Sequence, residues 1–216
     1  MKTSLPFLFL FLIMVACKPN PDAANEAWWT ESDRQRILSE LDRTTQKLKK
    51  LTGELTESQW QFRESPDRWS IEEIVEHLEM QNQLHFREIS VVAHAPQYIE
   101  YRGITEGQDE HFTSYATDAT PGQSQWFLEP LGRFQGSDAL AAFSRARAGL
   151  RAFVENTDVD LRKQFTFRTP VAGKVLSEIR IGQVRDLHQL LLTGIAHTDR
   201  HLDQVSKVLE HPGFPR

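Results

Sequence analysis

The stretch "LLLTGIAHTDRHLDQVSKVL", residues 190–209, decides how this chain is read. Leu190, Gly194, His197, His201 and Val208 follow spacings of four, three, four and seven, which on a 3.6-residue repeat form one stripe of a helix. His197 and His201 therefore turn inward with the apolar residues. They stand on neighbouring turns, near enough to grip one divalent ion. Alone, an H-x-x-x-H pair is more often structural than metal-binding. Thr198 stands where the general-base Glu of an H-E-x-x-H zinc protease would be, which excludes that chemistry. The helix is expected from about Gln183 to Leu209, ended by His211, Pro212 and Gly213.

Three more helices precede it. Ile37, Leu41, Thr44, Leu48 and Leu51 mark one face of a helix that begins near Thr30 and ends near Gly53. Ser70 and Glu73 form an S-x-x-E capping box that opens a second helix, Ile71 to about Ala93. A third, "SDALAAFSRARAGLRAFVEN", carries Leu140, Phe143, Ala146 or Arg147, Leu150 and Phe153 or Val154 on one face, with Ser137 or Asp138 as its cap. Between helices two and three, residues 96–136 are rich in Gly and Pro and show little periodicity, so they read as a long loop. Residues 157–181 read as a short extended stretch with a turn at Pro170–Gly173. The expected fold is all-α, a four-helix bundle spanning 30–212.

His77 decides what the histidine pair means. Ile74 lies three residues before it and Gln81 four after, so it sits on or beside the inward face of helix two. A third imidazole from a neighbouring helix would complete a three-histidine site with open positions, the pattern of a catalytic rather than a structural metal. The other histidines rank lower. His85 could line the pocket, His188 is expected to be exposed or an interhelix contact, and His94, His111 and His211 are expected at the surface. Of the nearby carboxylates, Glu73 is committed to its cap, while Glu76, Glu79 and Asp199 are expected to face solvent. Trp60, Phe62 and Trp69 are read as covering one end of the bundle. Trp126, Phe127 and Phe134 are read as anchors of the loop, with Tyr115 or Trp126 able to border the pocket if that loop folds over the site.

"RWSIEEIVEHL", residues 68–78, followed far downstream by "AHTDRHLDQV", residues 196–205, resembles the paired signature of the DinB-like (damage-inducible) family of metal-binding four-helix bundles. The resemblance extends over residues 30–210 and includes "ELTESQWQFRESPDRWS" before helix two. It implies that His77, His197 and His201 bind a divalent ion of the nickel or zinc type, with Trp69, Ser70, Arg200 and Gln204 at the accompanying positions. It names no fourth protein ligand.

The opening "MKTSLPFLFLFLIMVACKPNPD" places Lys2 before an apolar run too short to span a bilayer comfortably. "MVAC" resembles a bacterial lipobox, with Met14 where Leu is usual, so residues 1–16 are expected to be a lipoprotein signal peptide and Cys17 the lipidated first mature residue. Residues 17–29 then form a tether, and the expected location is the bacterial cell envelope. Cys17 is the only cysteine, so the mature chain has no disulfide, thiol nucleophile or cysteine-built metal site. A net charge of −5 with scattered basic residues disfavours nucleic acid as partner. Phe143 and Leu150, read as outer apolar positions, would give a homodimer a surface.

Three functions fit these residues. The first is a metal-dependent hydrolase of unknown small-molecule substrate. The second is a non-catalytic metal- or ligand-binding lipoprotein acting as a sensor or stress-response module. The third, a thiol-dependent S-transferase or isomerase, is implied by the family but disfavoured by export, because its thiol cofactors are cytosolic.

Overall fold

A computed structural model describes residues 26–117, 126–167, 179–180 and 182–216. The expected signal peptide, Cys17, most of the expected tether and the expected turn at Pro170–Gly173 lie outside the described residues, as do the side chains of Tyr115 and Trp126.

Local signals set the helices. α1 (Glu31–Thr52) starts at a capping box between Thr30 and Asp33 and ends with Lys49 and Lys50 ahead of Gly53, acid first and base last as the helix dipole favours. A single turn, α2 (Glu57–Trp60), buries Trp60 in the core. α3 (Ile71–Val92) opens on the Ser70–Glu73 box read from the sequence.

The segment expected to be one long loop contains helices: α4 (Arg102–Thr105) and α5 (Asp109–Thr117), the latter packed along the last helix. Its Gly and Pro residues punctuate short elements rather than abolish them.

α6 (Ser137–Asn156) is capped by neither Ser137 nor Asp138. Its N-cap is Gly136, at φ 50°, with no side-chain cap. The positive φ suits glycine, and the Gly136 N–H donates to Glu72 Oε2 at 2.9 Å. β1 (Phe165–Phe167) and β2 (Val184–Asp186) then pair antiparallel, Phe165 opposite Asp186. This delays the start of α7 (Leu187–Glu210) past Gln183, to a box between Asp186 and Gln189.

α1 and α3 each pack against both α6 and α7. Around the bundle the order is α1, α6, α3, α7, with α1 and α3 on one diagonal. One apolar cluster joins Ile37, Leu41, Ile89, Leu150, Leu190, Leu191, Leu192 and Ile195. The other joins Leu48, Trp60, Ile74, Phe143, Leu202 and Val205, with Phe62, Trp69 and Phe134 packed against it. Phe143 and Leu150 are thus core residues and supply no outer surface for a dimer. Phe127, read as a loop anchor, is 47% exposed. None of the described helices is long and apolar enough to cross a membrane.

The packed fold begins slightly before Thr30. Trp29 Nε1 donates to Nδ1 of His188 at 3.1 Å, so His188, expected exposed or at a helix contact, is a fully buried contact. Arg162 ties this end together through Asp33, Asp109 and Asp186, one from each of α1, α5 and the cap of α7.

Candidate metal centre

His197 and His201 fall on α7 between the two apolar clusters, and His77 faces them from α3. One nitrogen from each ring lies within 4.8 Å of the others. Nε2 of His77 and Nε2 of His197 are 3.0 Å apart. His77 and His201 are buried, and His197 is half-buried on the open side. Half-buried Trp69 packs on the other two rings: its ring lies 5.0 Å from that of His77 and stacks at 6.4 Å on His201.

Hydrogen bonds fix which nitrogens point at the centre. His77 donates from Nδ1 to the carbonyl of Leu128 at 2.7 Å, and His201 donates from Nδ1 to Oε1 of Gln204 at 2.9 Å. In the neutral rings this leaves both Nε2 atoms as lone-pair acceptors. That is the tautomer a metal-ligating histidine holds, with its other nitrogen tied to a carbonyl. An ion bonded to each nitrogen at about 2.0–2.1 Å sets its ligand nitrogens roughly 3 Å apart, and the His77–His197 spacing matches. The donor set therefore fits a divalent ion.

The rings are also held neutral, as ligands must be. Burial lowers His77, with the Arg200 charge adding to it and the Leu128 bond opposing it. Burial with the charges of His77 and Arg200 takes His201 down to about 3. His197 falls well below the usual histidine range through burial, then His201, His77, Arg200 and His85.

His85, on α3 two turns beyond His77, is buried against α7, and among the described residues it joins no ligand cluster. A Cβ built on Gly194 would stand 2.7 Å from its Nδ1, so the glycine lets the ring lie against the α7 backbone. His94 and His111 are exposed as expected, while His211 is half-buried against Phe62.

The carboxylates correct the sequence reading. Glu76 and Glu79 do not face solvent: they are 1% and 2% exposed. Glu76 accepts the backbone N–H groups of Leu131, Gly132 and Arg133, and Arg133 bridges both acids. They hold the loop whose Leu128 carbonyl orients His77. Neither that carbonyl nor Arg133 belongs to a motif, so no local signal points to them. Asp199, on the outer side, pairs with Arg43.

The model of the DinB superfamily matches residues 40–205 of this chain. Among solved structures, YfiT from Bacillus subtilis, described as a probable metal-dependent hydrolase with an unusual four-helix bundle topology, superposes with a TM-score of 0.53. The two chains are 13% identical over 86% of this one and 91% of the other, and at that identity the likeness speaks for the fold alone. No curated protein matches this chain at a significant level.

Proposed function

This chain belongs to the DinB superfamily, and from that premise we propose that it is a metal-dependent hydrolase whose ion, zinc or nickel, is held by His77, His197 and His201. The observation that carries the reading is the convergence of three imidazoles within 4.8 Å, two of them tied at Nδ1 so that Nε2 faces the centre. Three neutral ligands leave the full charge on the ion, and an ion so held supplies an activated water and a Lewis acid for a carbonyl or phosphoryl group.

The protein's own part is to orient and exclude. Leu128 and Gln204 hold the tautomers, and Trp69 packs its ring against His77 and His201. Half-buried His197 marks the side from which a small substrate approaches. Reading residues 1–16 as a leader, we further propose that the enzyme works at the bacterial cell envelope, anchored through a lipid on Cys17.

Metal analysis of the untagged chain tests the site, with about one equivalent expected and its loss in His77→Ala. Hydrolysis of a panel of chromogenic esters and amides should then stop on chelation and return with the ion. Activity indifferent to removal and restoration would overturn the hydrolase. For the anchor, Cys17→Ala should leave the membrane fraction, and a variant that stays there contradicts lipidation.

A further inference from the structure

The charged side chains around the three imidazoles are sorted by sign. Arg200, half-buried, aims Nη2 at Nε2 of His201, 3.1 Å away. That is the nitrogen turned toward the other two rings. Arg147 reaches across the bundle from α6 to Oγ1 of Thr198 at 2.8 Å. It is 3% exposed, and its Nε has no hydrogen-bond partner among the described residues. No described carboxylate forms an ion pair with Arg147, which is unusual for an enclosed guanidinium.

The acids flanking the ligands are engaged elsewhere. Glu73 pairs with Arg63, Glu76 and Glu79 with Arg133, Asp199 with Arg43 and Asp203 with Lys47. Cationic groups thus border the centre, while the acids near it are each paired with another basic residue.

We propose that the open face of the centre takes an oxyanion, a carboxylate or phosphoryl group on the substrate, and that Arg200 is the residue that positions it. This rests on the metal reading above. Neutral imidazoles offset none of the charge of a divalent ion, and Arg147 adds a buried positive charge nearby, so a ligand bearing negative oxygens is the complement. A guanidinium presents a planar fork of donors that matches two such oxygens. Arg147 is enclosed and contributes charge rather than contact. Arg200 is the one at the rim.

Arg200 now donates to a nitrogen that an ion would claim. Its removal therefore has two effects of opposite sign: the ion is held as tightly or more tightly, and the oxyanion is held less tightly. A residue that merely supported the fold would weaken both.

The test uses the full chain loaded with Co(II), dialysed free of excess ion and followed by its visible spectrum during titration. The probes are acetate, inorganic phosphate and, as a neutral control, acetamide. One or both oxyanions should perturb the spectrum saturably and acetamide should not, and the better of the two identifies the group recognised. Arg200→Gln should keep one equivalent of cobalt and bind the oxyanion about tenfold more weakly or worse, with Arg200→Lys recovering part of the loss. The proposal is overturned if neither oxyanion binds the loaded chain, if acetamide binds as well, if Arg200→Gln binds the oxyanion like the parent, or if that variant loses cobalt. A parent chain that takes up no cobalt fails before any probe is added, and overturns the metal reading along with this one.

Discussion

The backbone carbonyl of Leu128 accepts the Nδ1 proton of His77 at 2.7 Å, so a ligand on α3 is oriented by a loop that follows it far along the chain. The loop is fastened by the residue before that ligand. Glu76 takes three consecutive N–H groups, of Leu131, Gly132 and Arg133, together with the Arg133 guanidinium. Truncating it leaves buried donors without an acceptor and frees the loop. Glu76→Ala should therefore lower metal affinity by about 10–100-fold, the usual effect of losing the groups that orient a ligand. Glu76→Gln, which keeps an acceptor oxygen, should fall between. Competition against a chromogenic chelator measures both, and a folded Glu76→Ala chain with parental affinity would show that the loop does not orient His77.

That relationship also marks where the sequence stops being informative. The helix period alone turns His197 and His201 inward, and the Ser70–Glu73 box fixes the start of α3 and hence the phase of His77. Those are local signals. A main-chain carbonyl such as that of Leu128 has no side-chain signature. Glu76 and Glu79 are charged side chains that no helix pattern marks for burial, and Arg133 and the turn of chain around it make burying them tolerable. Phe143 and Leu150 face the core because α6 packs between α1 and α3, a placement no single helix pattern shows. His188, expected exposed or at an interhelix contact, makes its contact with Trp29, which lies before α1 and outside any helix pattern. The β1–β2 pair depends on two segments of three residues each, too short to show an alternating pattern.

Gly194 is a second place where local preference and packing disagree. Within a helix, alanine is ordinarily favoured over glycine by about 1 kcal/mol. Here the added Cβ would lie 2.7 Å from Nδ1 and 3.0 Å from Cε1 of His85. The ring is enclosed and has little room to yield, so Gly194→Ala should cost about 1–3 kcal/mol net, in the range of overpacked cores. Urea denaturation reads the change. A variant more stable than the parent would mean that His85 can move aside.

His85 itself should impose a pH dependence on stability. Burial, then the Arg185 and Arg147 charges, lower it to about 3, against an unfolded value of about 6.5. The folded chain therefore binds fewer protons than the unfolded chain between these values. The contribution is fully present above about pH 6.5 and is lost as pH falls toward 3. Arg147 stays charged throughout that window, since even buried it lies at about 10. The site histidines titrate in the same direction, so a difference between two chains isolates His85. With chelator present, the parent should lose about 2 kcal/mol more than His85→Gln between about pH 7.5 and pH 5. Urea midpoints for the two chains at both pH values measure this, and parallel losses would mean that His85 is not held neutral by the fold.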